Sequence, residues 1–169
     1  MASDTDQSFS SSAVQRMLKE WWELLKENRG ERAELRRCKE IDEVLLTEAY
    51  HRLRKRLSAT GFTPRSEDQL GAVAGLLAHV DENTPEQSKM AAQMAGGAEN
   101  EEAPLSGLRF RRLLQNEDRE SLYRSLMRVV RLLDRRVNVS SLAEDVYYWG
   151  PSVRKRWARD YYDNALEEV

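Results

Sequence analysis

The sequence predicts an all-α fold of about seven or eight helices, packed as two small helical bundles with no sheet. Three observations carry that expectation. Apolar residues recur at steps of three and four through successive segments, as buried helix faces require. Sustained period-two alternation, the mark of a half-buried strand, is absent. Residues that start or break helices recur at the ends of the same segments. The 169 residues are 40% hydrophobic and 33% charged, which allows a core beneath a heavily charged surface.

Residues 1–11 are polar and serine-rich, and a disordered tail is expected there. Ser12 and Gln15 have capping-box spacing for a helix running to about Asn28, with Val14, Met17, Leu18, Trp21, Trp22, Leu24 and Leu25 as its apolar set. Gly30 is its expected stop. A short helix from Glu31 to about Arg37 follows, with Arg32 and Arg36 on one outer face. After a break around 39–42, a helix over about 45–57 turns Leu46, Tyr50, Leu53 and Leu57 inward. Gly61 ends it. Pro64 and the box-spaced pair Ser66 and Gln69 open the next, with Leu70, Val73, Leu76, Leu77 and Val80 apolar. These helices make an N-terminal bundle over 12–80.

Residues 81–104 break the pattern. They are acidic, contain Pro85, Gly96, Gly97 and Pro104, and are expected to form a flexible linker with at most a weak turn near Met90–Met94. A C-terminal bundle over 105–169 follows. Ser106 is placed to cap a helix through Leu114, with Leu108, Phe110, Leu113 and Leu114 mostly inward. A longer helix spans about Asp118 to Arg135. Ser141 and Glu144 have capping-box spacing for a helix ending at Trp149, and Gly150–Pro151 is a strong breaker. A last helix over about 152–166 carries Val153, Trp157, Tyr161 and Leu166 on one face.

No catalytic or metal-binding constellation emerges, so no enzyme, metal or cofactor is expected. The two histidines, His51 and His79, stand on separate helices without an acidic partner at ligand spacing. Glycines form no phosphate-cradling loop. Cys38, the single cysteine, follows Arg36 and Arg37, which would lower a thiol pKa, but a packed cysteine is the stronger expectation. One cysteine makes no intramolecular disulfide and fits a reducing, cytoplasmic setting. No signal peptide is read at the N-terminus, and no apolar run approaches about 18 residues, so no membrane contact is expected. The four tryptophans lie among apolar residues at helical spacing and are assigned to the core, while Tyr147 and Tyr148 remain open to an interface role.

The charge distribution is more informative than its total. The net charge is −2, yet 31–65 holds 9 basic and 6 acidic residues, 105–136 holds 9 and 4, and 81–104 holds 1 and 6. All nine basic residues of 105–136 are arginine. On the Asp118–Arg135 helix, Arg124, Arg128, Arg131 and Arg135 follow at steps of four, three and four, within a roughly 60° arc opposite the leucines and valines. A guanidinium offers permanent charge and a planar donor fork that fits phosphate oxygens. Side chains so spaced stand about 5–6 Å apart, suiting a nucleic-acid backbone contacted without reading its bases. A solvated face laced with ion pairs, Glu120 with Arg124 and Asp134 with Arg131, accounts for the pattern equally well.

The order of motifs resembles the CasB family, the small subunit of the type I-E CRISPR Cascade surveillance complex. The carriers are WWELLKENRGERAELRR at 21–37, YHRL at 50–53, LSGLRFRRLL at 105–114, Arg128 through VNVSSLAEDVYYW to Trp149, and Trp157 with Tyr161–Tyr162. The resemblance implies a non-enzymatic helical subunit whose partners are guide RNA and target DNA, other Cascade subunits and a second copy of itself. It carries nucleic-acid-binding roles to Arg36, Arg37, Arg109, Arg112 and Arg128, and more loosely to Arg65. Arg124, Arg131 and Arg135 rest on the helix-face argument. The acidic 81–104 insert and the N-terminal tail depart from the family pattern. The competing expectation is a helical adaptor docking acidic protein partners.

Overall fold

The computed structural model describes residues 7–85, 87, 89–96 and 103–165. Residues 1–6 of the expected tail, 97–102 of the expected linker, and Leu166 lie outside them. Ten helices and one two-stranded sheet make up the described fold.

Helix α1 (Ser12–Glu27) is capped one residue earlier than expected, by Ser11, whose hydroxyl accepts from the Val14 N–H at 3.3 Å. It stops at Asn28, whose side chain also caps α2 (Arg29–Arg37) by accepting from the Glu31 N–H at 3.1 Å. One asparagine serves both ends, so Gly30 is not the stop but part of the first turn of α2. The single helix expected near 45–57 is two: α3 (Ile41–Leu45) and α4 (Glu48–Ser58), the latter capped by Thr47. Leu46 falls in the gap between them and is 86% exposed rather than inward. Gly61 takes φ 90° in the turn after α4, a left-handed conformation suited to glycine. Ser66 caps α5 (Glu67–Leu77) as its spacing predicts.

Every residue from Leu70 to Val80 is buried, so α5 is enclosed on all sides. Helices α2, α3 and α4 meet it from one half of the chain. The other half contributes α8 (Arg119–Leu132) and α9 (Val139–Tyr147). The buried apolar side chains form one cluster drawing on both sides of 81–104, so the two expected bundles meet along α5. Helix α7 (Gly107–Leu114) is capped by Ser106 but leaves Leu108 half exposed. Helix α9 is capped by Asn138 rather than Ser141, and α10 (Pro151–Ala165) takes Pro151 as its first residue, where a missing N–H costs nothing.

The described part of the acidic segment is built into the fold rather than left free. Glu82–Asn83 (β1) pairs in parallel with Arg136–Val137 (β2), and Glu82 forms an ion pair with Arg136 at 3.0 Å. Helix α6 (Met90–Ala95) packs on α10 with Met90 and Met94 buried. So short a helix shows no period, which is why composition alone reads it as linker. Residues 7–11 also depart from the expected disorder. Phe9 is 1% exposed, stacks on Tyr147 at 4.2 Å between centroids, and its carbonyl accepts from the Gln15 side chain at 2.8 Å.

The tryptophans are core residues whose N–H groups find partners inside. Trp21 donates to the Ala49 carbonyl, Trp22 to Val80, Trp149 to Asn116, and Trp157 to the Asp145 carboxylate. Among the described residues no helix is long and apolar enough to cross a membrane.

Phe9 supplies a stability test. Phe9→Ala is expected to lower the unfolding free energy by about 3 kcal/mol, the cost of emptying a packed aromatic site, whereas Ser10→Ala stays within about 0.5 kcal/mol. Urea titration followed by circular dichroism distinguishes them; equal midpoints would return residues 7–11 to a loose tail.

Candidate nucleic-acid interface

Helix α8 is amphipathic as its spacing predicts. Asp118 caps it, with its carboxylate accepting from the Ser121 N–H at 2.8 Å. Those hydrogen bonds hold the Asp118 pKa below the usual carboxylate range. Leu122, Leu126, Val129 and Val130 turn into the core, and Arg124, Arg128 and Arg131 turn outward. Alongside runs α7, with Phe110 and Leu113 buried and Arg109 and Arg112 exposed.

Between the two helices lies an open groove of about 640 Å³. Arg109 and Arg112 line it from α7, Arg128 and Arg131 from α8. Its apolar wall is Leu105, Leu113, Val129 and Leu132, and Asn116 and Ser125 are its neutral polar residues. Among the described residues no carboxylate lines it, and none of the four arginines has an ion-pair partner. The structure thus brings four of the nine sequence-predicted residues into one concave, cationic site.

The other five fall elsewhere. Arg124 pairs with Glu40 and Glu120, both at 3.5 Å, while Glu120 also accepts from the Ile41 N–H at the start of α3. This is the ion-paired face realised at one position. Arg131 makes no such pair with Asp134. Arg135 leaves the row because α8 ends at Leu132 and Asp134 and Arg135 both adopt left-handed φ, 57° and 58°. Its guanidinium donates to the His79 carbonyl at 3.1 Å and lies 3.3 Å from His79 Nδ1. Arg36 donates from Nε to the Ala78 carbonyl at 2.7 Å and pairs with Asp81 at 2.6 Å. Both therefore hold the C-terminal end of α5, where free carbonyls favour cations. Arg37 lines a separate shallow depression with Glu34, Cys38 and Leu46. Arg65 is exposed before α5, and its backbone N–H donates to the Tyr147 hydroxyl at 3.2 Å.

The Arg36–Arg135 cluster is not isolated from the groove. Burial lowers the Arg135 pKa, and neighbouring Arg36, Arg131 and Arg32 lower it further against the opposing Asp81. Burial likewise drives His79 down to about 4, with Arg135, Arg36 and Arg131 acting in the same direction and Asp81 against them. Arg131 therefore belongs both to the groove and to the field at the end of α5. Sequence reasoning missed Asp81, whose role depends on a partner 45 residues away. It also missed Arg119, which donates to the Val146 and Tyr147 carbonyls and closes the end of α9.

The single thiol is not activated as a nucleophile. Burial raises the Cys38 thiol pKa, and Glu43 and Glu34 add to this against Arg37, so the thiolate is disfavoured. His51 holds the Leu45 carbonyl at 2.8 Å. Among the described residues no group of three or more His, Cys, Asp or Glu side chains is arranged to hold a metal.

Comparison with known proteins places this geometry. A family model described as CRISPR-associated protein Cse2, also called CasB, matches residues 31–162. Among solved structures, a chain of the crystal structure of Escherichia coli Cascade bound to a PAM-containing double-stranded DNA target is similar. It superposes with a TM-score of 0.73 at 18% identity, over 90% of this chain and 96% of that one, which establishes a shared fold. No curated protein matches the sequence.

The buried His79 fixes a pH dependence. With its pKa depressed, the unfolded chain binds the proton more readily than the folded one. Above about pH 6.5 it contributes nothing, and stability falls as pH drops from there toward 4. The loss by pH 5 is expected to be on the order of 2 kcal/mol. Urea unfolding of the wild type and His79→Gln at both pH values measures it, and an equal fall in the variant would refute this source.

Proposed function

The chain belongs to the CRISPR-associated Cse2 family, and we propose on that premise that it is a non-catalytic small subunit of a type I-E Cascade complex in the cytoplasm. It holds nucleic-acid backbones and so stabilises the opened DNA during antiviral defence. The partners of this reading are guide RNA, target DNA with its displaced strand, other Cascade subunits and a second copy of the chain. The observation that carries it is the α7–α8 groove, in which four arginines without carboxylate partners among the described residues face one concavity. Clustered unpaired guanidinium groups repel one another in the free protein and gain most from a polyanion, whose bound counterions they release. The assembly that contains the similar chain is bound to a DNA target, which agrees with that chemistry.

The physics of the role follows. Replacing a DNA duplex by a guide–target heteroduplex is nearly balanced in free energy, so contacts to backbones tip it. Arginines that hold phosphates without reading bases supply that bias at any target sequence. Of the nine arginines, Arg109, Arg112, Arg128 and Arg131 are the binding set. Arg36 and Arg135 act first on the fold and reach the strand only through the field they share with Arg131. Arg37, Arg65 and Arg124 are peripheral contacts.

Charge reversal separates these groups. Arg128→Glu with Arg131→Glu is expected to abolish retention of single-stranded DNA and RNA in a gel shift. Arg128→Ala should weaken binding alike for unrelated sequences and reduce the salt slope by about 0.7. Arg36→Ala should instead lower the melting temperature. Undiminished retention by the double reversal would refute the groove as the binding face.

A further inference from the structure

The same groove carries more than backbone chemistry requires. A phosphate track needs cations and water, yet here the arginines rim a recess walled by Leu105, Leu113, Val129 and Leu132. Leu105, Leu113 and Val129 are 4–5% exposed and form its back, while Leu132, at 43%, forms the lip. At about 640 Å³ the recess lies within the range of small-ligand sites, roughly 300–1,000 Å³.

Its polar residues are arranged as a pair. The Asn116 amide nitrogen donates to the Leu113 carbonyl at 2.9 Å and to Ser125 Oγ at 3.2 Å. Both amide hydrogens are thereby used, leaving the Asn116 amide oxygen as an acceptor. Ser125 Oγ accepts from Asn116, which leaves its own hydrogen to donate. The Asn116 backbone carbonyl is fixed in turn by the Trp149 N–H at 2.7 Å, so the pair stands on the core.

We propose that this recess receives one unstacked nucleobase of the strand whose phosphates lie on Arg109, Arg112, Arg128 and Arg131. The inference rests on the nucleic-acid reading above and adds to it a base subsite. Aliphatic walls cover the faces of the base, and guanidinium planes at the rim add stacking. The Asn116 acceptor and Ser125 donor meet its edge. All four bases carry a donor beside an acceptor on the Watson–Crick edge, so the pair takes any of them and the subsite is tolerant of sequence. An acidic peptide would use the arginines but leave the apolar wall and the amide–hydroxyl pair without a role.

Fluorescence anisotropy of the full chain tests this with a short mixed-sequence single-stranded oligodeoxynucleotide and the same backbone made wholly abasic. Wild type is expected to bind the abasic strand about fivefold to tenfold more weakly, the lower range for losing base stacking. Ser125→Phe, which fills the recess, should bring the intact strand down toward the abasic level, so that the variant no longer distinguishes the two strands. A 2-aminopurine base in the strand should change fluorescence on binding to wild type, a readout that needs no variant. Equal affinities of wild type for the two strands would overturn the base subsite and leave backbone binding standing. No binding of either strand would overturn the nucleic-acid reading itself, as would displacement by polyglutamate at the concentration at which unlabelled oligonucleotide displaces. Displacement by AMP as effective as by the oligonucleotide would assign the recess to free nucleotides instead, overturning the strand-bound base.

Discussion

How closely α5 can be approached is the constraint on which the rest of the structure depends. A Cβ at Gly71 would lie 2.8 Å from Leu45 Cδ2 and 3.0 Å from Ile41 Cγ2, and one at Gly75 would lie 2.7 Å from the Tyr123 ring and hydroxyl. These two glycines let α3 and α8 lie directly on the α5 backbone. Tyr123 fills the space over Gly75 and donates its hydroxyl to the Cys38 carbonyl at 2.7 Å. That bond has no solvent competitor, and burial raises the Tyr123 pKa, so the phenol stays neutral and donating. Once Tyr123 is pinned inward, the rotation of α8 is fixed, and Arg128 and Arg131 must face out toward α7. Packing at two glycines thereby sets where the charges stand.

Carboxylates then decide which arginines are structural. The chain holds 27 basic and 29 acidic residues, so a partner could exist for every arginine. Placement denies it to some. Asp81 takes Arg36, Glu31 takes Arg52, Asp145 takes Arg156, and Glu40 with Glu120 takes Arg124. Among the described residues the α7–α8 groove has no carboxylate. The Arg124–Glu40 pair is exposed on both sides, and such pairs contribute little to stability, typically about 0–1 kcal/mol. The cost of leaving four guanidinium groups unpaired in water is correspondingly small, and the fold tolerates it without compensation.

Much of this was legible in the sequence, with an identifiable boundary. Long periodic segments became α1, α5, α8 and α10 because three to four turns of apolar spacing have few other solutions, and the shorter α7 was marked by its Ser106 cap. Within α8 the spacing gave the outward face: Arg128 and Arg131, a step of three apart, are both exposed, whereas Arg109 and Arg112 came from the family resemblance. What failed depends on partners distant in sequence or on turns without a glycine. Arg135 looked like the next step of its row, but the left-handed pair Asp134–Arg135 has no marker residue. Arg36 was read as outward because Asp81 lay in a segment taken for linker. Met90 and Met94 gave too short a run to show a period, and Phe9 alone among polar residues gave no sign that an aromatic site awaited it. Leu46 and Leu108 fit the periodicity and are nevertheless exposed, the first because the helix it was assigned to breaks at that point.

On the proposed reading, the groove would let a chain of net charge −2 hold a polyanion. Electrostatic attraction in salt reaches only about 8–10 Å, one Debye length, so a strand in the groove meets the local field rather than the net charge. With four phosphates neutralised, that field supports the modest affinity of non-specific binding, roughly 10⁻⁴–10⁻⁶ M. A subunit acting alone would release the strand readily. Held beside a guide and its target, it meets the strand at an effective concentration that can reach millimolar, above those dissociation constants. Weak, sequence-tolerant contact is then an advantage: it stabilises an opened duplex once one has formed and does not tie the free chain to other nucleic acid. The ion pairs of Arg36, Arg52 and Arg156 act in the same direction, because an arginine already held by a carboxylate gains less from a strand.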